Sequence, residues 1–239
     1  MPKKWKAARV ISIEDLSPSV KEIILDIEGE EIIDFKPGQF VTFDLPIGEK
    51  RLERWRSYSL VNPPNKSNRI NLAVSYLEGG RASRFFFKEL KTGDELVLKG
   101  PEGMFVLPSS LNKDLVMICT GTGVAPFKSM IDHVFNHDIP HKKIHLIYGS
   151  RTKADILYRE EFEKLAKKHP EFKYSIALSR EEFNGYQGYV HDIYRQHYGE
   201  KREDICFLLC GWQNMIDDAN KYLKELGYLS DQILFELYG

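Results

Sequence analysis

Thr120-Gly121-Thr122-Gly123-Val124-Ala125-Pro126 joins an apolar run, Leu115-Val116-Met117-Ile118-Cys119, to an amphipathic stretch that continues to Asn136. Strand, glycine turn and helix, in that order, are the parts from which phosphate-binding loops are made. Gly121 and Gly123 permit a tight turn and close approach of a phosphate, and the helix start aims its N–H groups at the same place. No third glycine follows, so this is not the usual GxGxxG fingerprint. Pro126 stands early in the helix instead, where proline is tolerated. Taken alone, the loop is either a structural strand-to-helix turn or a dinucleotide site.

Downstream of this loop the pattern alternates. Apolar strands at 143–148, 173–178, 205–210 and 233–238 are interleaved with helices at 158–168, near His191 and at 215–226, after the helix at 124–136. Such alternation predicts a parallel sheet covered on both faces. Upstream, short β-branched or alternating runs at 5–13, 20–27, 39–45, 56–60, 70–76 and 95–99 are separated by Pro, Gly or Asn. Regular strands of that kind predict an antiparallel β-barrel, interrupted by one helix at 81–90. Residues 107–114 read as the linker. The expected organisation is a barrel domain over 1–108 and an α/β domain over 109–239.

Bulk properties narrow the function classes. At 239 residues the chain has room for two domains, and 42% hydrophobic with 29% charged residues describes a globular protein. A net charge of −1 gives no bulk field for nucleic acid or an anionic membrane. Cys119, Cys206 and Cys210 lack CxxC spacing and a neighbouring His cluster, so neither a disulfide framework nor a metal site is expected. The start, Met1-Pro2-Lys3-Lys4-Trp5-Lys6, is basic without the apolar run of a secretory signal, and no stretch approaches the ~18 apolar residues of a membrane helix. The expected compartment is the reducing cytoplasm.

Several short stretches carry candidate chemistry. In the strand Arg56-Ser57-Tyr58-Ser59-Leu60, alternation sends Arg56, Tyr58 and Leu60 to one face and Ser57 and Ser59 to the other. It offers either an ordinary edge strand, or a diphosphate-binding guanidinium, an aromatic face and a hydroxyl for a ring nitrogen. Gly79-Gly80-Arg81-Ala82-Ser83 opens a helix: either a plain glycine turn or a backbone anion site with an added hydroxyl. Ser179-Arg180 ends a strand of the parallel sheet, where ligands gather, and is either a solvated turn or a phosphate-monoester site. Cys210-Gly211 ends another such strand, with Cys210 either a buried small residue or a functional thiol.

Taken in order, these stretches resemble the ferredoxin-NADP reductase superfamily. Arg56-Ser57-Tyr58-Ser59 resembles its R-x-Y-S flavin signature, Gly80-Arg81-Ala82-Ser83 its G-x-x-S/T flavin-diphosphate motif, and Gly100-Pro101-Glu102-Gly103-Met104-Phe105 the G-P-x-G-x-F segment closing the flavin barrel. Thr120 to Pro126 resembles the G-T-G-x-x-P nicotinamide-dinucleotide loop. Ser179-Arg180-Glu181 resembles the S-R-E segment that recognises the 2′-phosphate of NADPH, Cys210-Gly211 the C-G pair beside the reacting nicotinamide, and Glu236-Leu237-Tyr238 an E-x-Y terminus. Two departures stand out: Gly188-Tyr189-Val190-His191 differs from the plant pattern, and Gly239 extends past the aromatic.

The resemblance implies a two-domain FAD-containing oxidoreductase passing electrons between NADPH, ahead of NADH, and a separate carrier. Arg56, Ser57, Tyr58, Ser59, Leu60, Val74, Gly80, Arg81, Ala82 and Ser83 are then expected to hold FAD. Thr120, Gly121, Thr122, Gly123, Pro126, Ser179, Arg180, Tyr189, Cys210 and Gly211 are expected to hold the nicotinamide dinucleotide, with Tyr238 covering the flavin face that nicotinamide must reach. Ser59, Cys210, Glu236 and Tyr238 are the expected catalytic set. No C-x4-C-x2-C run is present, so an iron–sulfur centre is not expected and the partner is a separate acidic ferredoxin or flavodoxin. Lys50, Arg51, Arg54 and Arg56 are expected to form its docking rim. Other implied outcomes are an NADH-dependent reductase of an oxygenase or cytochrome, a subunit of an electron-transfer complex, and a non-catalytic flavin-binding module.

Overall fold

A computed structural model describes residues 4–238. The basic start at Met1, Pro2 and Lys3 and the terminal Gly239 lie outside the described residues. Close packing divides the chain into two units, residues 1–107 with 125–137, and residues 108–124 with 138–239.

In the first unit, β1 (Lys6–Ser17), β2 (Val20–Ile27), β3 (Phe40–Asp44), β4 (Trp55–Ser59), β5 (Arg69–Ser75) and β6 (Glu95–Glu102) form one six-stranded sheet in the order β4-β3-β6-β1-β2-β5. Every pairing is antiparallel. Alternation explains the inside: Ile23, Leu25 and Ile27 of β2, Val41 and Phe43 of β3, and Ile70, Leu72 and Val74 of β5 share one core. The two edge strands meet where Leu60 pairs with Leu72 and the Val61 N–H donates to the Asn71 carbonyl at 2.9 Å. That seam closes the sheet into the expected barrel, which removes its open edges.

Several boundaries differ from the sequence expectation, among them the end of β1, which runs on to Ser17. Strand β6 runs on through Gly100 and Pro101 to Glu102, because a register irregularity against β3 absorbs the turn-like residues. Strand β4 is preceded by a one-turn helix α1 (Arg51–Arg54). The helix expected over 81–90 is α-helical only as α2 (Arg81–Arg84) and then widens into a π-turn over Phe85–Glu89, where the Leu90 N–H reaches the Phe85 carbonyl at 3.0 Å. The wide turn accommodates three consecutive phenylalanines: Phe86 enters the core while Phe85 and Phe87 pack against it.

In the second unit, β7 (Asp114–Thr120), β8 (Ile144–Ser150), β9 (Phe172–Leu178), β10 (Tyr186–Gln187), β11 (Ile205–Trp212) and β12 (Ile233–Tyr238) form an all-parallel sheet in the order β10-β9-β8-β7-β11-β12. Strand β10, only two residues long and flanked by Gly185 and Gly188, is not among the strands expected from sequence. Between β7 and β8 the chain forms α3 (Val124–Asn136), whose residues from Ala125 onward pack with the first unit. The other helices are α4 (Arg159–Lys168), α5 (Val190–His197) and α6 (Gln213–Glu225). One face of the sheet buries Val116, Ile118, Phe207 and Leu209 against Ile193 of α5 and Ile216 and Leu223 of α6. Phe162 of α4 packs beside Tyr174 at 5.3 Å between ring centroids.

This order contains one topological switch. From β7 the chain proceeds to β8 and β9 on one side, and β11 and β12 are added on the other. Connections leaving β7 and β11 therefore diverge, and the carboxyl ends of such a strand pair are where open α/β sheets take ligands. Among the described residues, no helix is long and apolar enough to cross a membrane.

Candidate functional site

The barrel residues singled out by sequence are gathered on β4 and on the turn into α2. Tyr58 packs edge-on against Phe86 at 5.3 Å and Phe43 at 6.0 Å between ring centroids. Burial raises its hydroxyl pKa, opposed by Arg56, so the phenol is neutral throughout the physiological range. Arg56 donates from Nη1 to the carbonyls of Trp55 at 2.7 Å and Leu52 at 3.1 Å. These bonds tie the guanidinium of the half-buried Arg56 to α1 and to the start of β4. Ser57 and Thr42 share a cross-strand hydroxyl hydrogen bond of 2.9 Å, whereas Ser59, Leu60 and Val74 are buried.

Gly80 caps α2 with an extended backbone; a Cβ there would lie 2.8 Å from Ser83 Oγ and 3.0 Å from the Leu77 carbonyl. The Ser83 hydroxyl is within donating distance of the carbonyls of Leu77 (2.7 Å) and Gly80 (3.0 Å). The added hydroxyl expected for a ligand is thus turned into the turn itself. What the turn presents is the set of backbone N–H groups at 81–83, which a first helical turn leaves without intrahelical partners. Ala82 is buried, and Arg81 reaches Glu53 at 3.4 Å and the Ile47 carbonyl at 3.2 Å. Backbone N–H groups of Lys50 and Glu49, followed by Arg81, hold the Glu53 carboxyl below its usual pKa.

The expected basic rim is rearranged. Arg54 forms a two-pronged ion pair with Asp44, with both contacts at 2.9 Å. Arg51 lies over the Trp55 ring at 4.1 Å, joined there by Lys99 at 4.5 Å. Lys99 is therefore part of the basic cluster and Arg54 is largely neutralised.

In the second unit, the candidate residues meet at the switch point. Gly121 has φ +54, and nothing lies within 4 Å of where its Cβ would be, so its backbone faces open space. Gly123 is the opposite: a Cβ would fall 2.5 Å from the Cys210 carbonyl oxygen. Gly211 has φ +133, and a Cβ there would lie 2.5 Å from Thr120 Oγ1, which also accepts from the Trp212 N–H at 3.3 Å. The two glycine turns thus interlock, with Thr120 as the staple. Helix α3 begins immediately after Gly123, with Pro126 in its first turn and Thr122 partly exposed before it.

Cys210 is buried and stands opposite Cys119 on β7 and Glu236 on β12. Burial, then the Glu236 charge, pushes the Cys210 thiol pKa well up, while a hydrogen-bonding contact from Tyr238 works the other way. Cys210, Glu236 and Tyr238 of the expected catalytic set are therefore together; Ser59 belongs to the barrel unit.

A second group lies at the carboxyl ends of β8 and β9. The Ser179 N–H donates to the Ser150 carbonyl at 3.1 Å and the Arg180 N–H to the Arg151 carbonyl at 3.0 Å. These bonds place exposed Arg151 beside exposed Arg180. Arg151 was missed by sequence reasoning, although the rule that selected Ser179 and Arg180, position at the carboxyl end of a parallel strand, applies equally to it. Gly188, with φ +115, donates its N–H to the Leu178 carbonyl at 2.7 Å and so holds the next residue, Tyr189, near the same strand end, 66% exposed.

The donor set fits a pair of dinucleotides: backbone N–H groups at two glycine turns, the guanidinium groups of Arg56 and Arg81 in one unit and of Arg151 and Arg180 in the other, and aromatic rings. Among the described residues no group of three or more His, Cys, Asp or Glu is placed to hold a metal ion.

Residues 7–107 match the oxidoreductase FAD-binding domain family and residues 117–221 the oxidoreductase NAD-binding domain family. The reductase component of phenol 2-monooxygenase from Pseudomonas sp. strain CF600 is 35% identical over 230 residues, 95% of this chain and 63% of that protein. The chain thus spans less than two thirds of that relative's length. Ferredoxin–NADP reductase B of Sorangium cellulosum is 30% identical over 239 residues, 97% of this chain and 96% of that protein. Among solved structures, a cytochrome P450 reductase of Amycolatopsis superposes with a TM-score of 0.87 at 26% identity, over 99% of this chain and 70% of that one.

Proposed function

The chain belongs to the ferredoxin–NADP reductase family of FAD- and nicotinamide-dinucleotide-binding oxidoreductases, and from that premise we propose that it passes electrons between NADPH and a separate one-electron carrier, an acidic ferredoxin or flavodoxin. The reading is carried by the interlocked turns at Gly123 and Gly211, which put an open glycine backbone beside a buried thiol at the sheet's switch point. When bound, FAD supplies the chemistry of taking up a hydride and releasing its electrons singly.

The protein's own residues bind, orient and exclude water. In this proposal the barrel domain covers 1–108 and the dinucleotide domain 109–239, with residues 125–137 grouping by packing with the barrel. Arg56 and the backbone N–H groups at 81–83 hold the FAD diphosphate, Tyr58 packs on a ring face, and Ser59 offers a hydroxyl toward the reacting nitrogen. Ser57, Leu60, Val74, Gly80 and Ala82 shape that site. The open backbone at Gly121, with Thr122 and the start of α3, holds the nicotinamide dinucleotide diphosphate. Cys210 keeps its proton and presents a neutral sulfur to the nicotinamide, Glu236 supports it, and Tyr238 moves aside as nicotinamide enters. Arg151 and Arg180, with Ser179, take the 2′-phosphate, and Tyr189 flanks the adenine. Two arginines at positions joined by a backbone hydrogen bond support NADPH over NADH, since only NADPH carries that phosphate.

For the carrier, Arg51 and Lys99 around Trp55 offer positive charge that speeds encounter with an acidic protein. Three buried cysteines without disulfides suit a reducing cytoplasm. A second reading, electrons delivered to an oxygenase, is favoured by the 35% identity to the phenol 2-monooxygenase reductase component.

Single-turnover reduction with NADPH and with NADH, followed by mixing with an acidic flavodoxin or with an oxygenase component, separates these readings. NADPH is expected to be faster, and carrier reduction to slow as salt rises. A faster reaction with NADH, or a salt-independent carrier step, contradicts the corresponding part.

A further inference from the structure

Helix α3 follows the dinucleotide loop in sequence, and its residues lie in the NAD-binding match at 117–221. Its packing says something else. Residues 125–137 group with 1–107 rather than with the parallel sheet. Phe127 is buried against Phe105 at 5.8 Å between ring centroids. Gly38 is pressed between the Phe105 carbonyl and Met130, whose Cε takes up the space where a Gly38 Cβ would stand. Ser129 has no exposed surface and donates its hydroxyl to the Asn62 carbonyl at 2.8 Å.

Asn62 is no ordinary loop residue. Its Oδ1 accepts from the Asn71 N–H at 2.7 Å, and its Nδ2 donates to the carbonyls of Arg69 at 3.1 Å and Pro63 at 3.3 Å. One side chain therefore ties the exit of β4 to the entry of β5. It stands two residues past Leu60, whose pairing with Leu72 closes the barrel. Leu60 is also held through its N–H to the Gln39 carbonyl at 2.9 Å, and Gln39 adjoins the Gly38 that Met130 covers. Helix α3 thus bears on three segments bracketing the end of β4: 38–39, 62 and 105. A carbonyl at such a seam needs a donor, and Ser129 supplies it.

We propose that helix α3 is a working part of the flavin module and that Ser129 is a positioning residue, fixing the end of strand β4 through the Asn62 carbonyl. This deepens the reading of Arg56, Tyr58 and Ser59 as flavin-holding residues and rests on it. Ser129 touches no ligand. It acts by holding the strand exit so that Ser59 and Leu60 keep their height against the seam.

Hydrogen exchange on the full-length protein, with and without added FAD, provides the first test. FAD is expected to slow amide exchange in 125–137 together with β4 and Asn62. Protection confined to residues within 1–107 overturns the proposal, and absence of any FAD binding removes the flavin assignment itself, so the two failures are distinguishable. In the second test, Ser129→Ala is expected to raise the FAD dissociation constant by up to about tenfold, the limit reached when the whole of that hydrogen bond is coupled to binding, and to shift the visible absorption band of the FAD still bound. Ser129→Thr, which keeps the hydroxyl, is expected to restore the band. A variant with a lower melting temperature but wild-type affinity and band assigns Ser129 to stability alone and overturns the proposal. If Ser129→Ala does not fold, the exchange experiment on the unaltered chain decides.

Discussion

Cys210 and Glu236 face each other on neighbouring parallel strands, so a buried thiol has a carboxylate as its direct cross-strand partner. After burial itself, that carboxylate is the largest influence raising the thiol's pKa. A sulfur held neutral in this way presents bulk and polarisability without becoming a nucleophile. Glu236→Gln removes the negative neighbour and is expected to lower the Cys210 pKa. The pH dependence of the Cys210 Cβ resonance, followed by NMR in cysteine-labelled protein, measures this. A midpoint that stays or rises in the variant contradicts the electrostatic pairing.

Gly123 and Gly121 are two residues apart and are expected to respond differently to alanine. At Gly123 a Cβ meets the Cys210 carbonyl oxygen at 2.5 Å and the Gly211 Cα at 2.8 Å, both of them backbone atoms unable to step aside. Gly123→Ala should cost about 1–3 kcal/mol of stability in denaturant titration. At Gly121 the space is open, and the strain of φ +54 alone should cost about 1 kcal/mol. Gly121→Ala should instead weaken nicotinamide dinucleotide binding, since the methyl group occupies the side left for the phosphate. The reverse ranking in stability contradicts the interlocked-turn account.

Arg151 and Arg180 stand at adjacent strand ends linked by a 3.0 Å backbone hydrogen bond. Replacing either by Ala is expected to raise the KM for NADPH by roughly tenfold to a hundredfold, the range of one charge-assisted hydrogen bond, and to leave the KM for NADH nearly unchanged. Equal losses for both nucleotides remove the 2′-phosphate role.

His145 supplies a pH prediction unrelated to the site. It is buried on β8, bonded through Nδ1 to the Tyr198 hydroxyl at 2.7 Å and through Nε2 to Ser175 Oγ at 2.9 Å. Burial, followed by Lys173 and His197, lowers its pKa from 6.5 to about 3. The unfolded chain therefore binds the extra proton first as pH falls. Stability from the neutral imidazole is complete above pH 6.5 and is lost progressively from there toward pH 3. Denaturation midpoints should fall on acidification at a slope approaching about 1.4 kcal/mol per pH unit from this group, and His145→Gln should flatten that slope. An unchanged slope in the variant contradicts the assignment.

Much of this architecture is legible in the chain because its signals are local. The apolar run 115–119, followed by two glycines and an amphipathic stretch, announces a strand, a loop and a helix; the alternation in 20–27 announces a half-buried strand. What was not legible depends on distant partners. That the Ser83 hydroxyl also has the Leu77 carbonyl beside it is one case. Arg54 reads as a surface cation until Asp44 neutralises it, and Lys99 enters the basic cluster only because β6 brings it near Trp55. The three phenylalanines at 85–87 read as plain helix, since period alone does not reveal that packing widens the turn. Helix α3 is the largest case: sequence order assigns it to the dinucleotide loop, whereas Ser129, Phe127 and Met130 pack with the barrel.

The central claim is that one chain holds FAD on the barrel and accepts hydride into it from a nicotinamide dinucleotide held at the switch point of the parallel sheet. Its most direct measurement is the visible absorption spectrum of the FAD-loaded protein under anaerobic conditions before and after addition of NADPH. The account predicts a yellow protein whose flavin absorbance bleaches on mixing. A protein that stays colourless after incubation with FAD, or whose bound flavin keeps its absorbance in the presence of both NADPH and NADH, contradicts it.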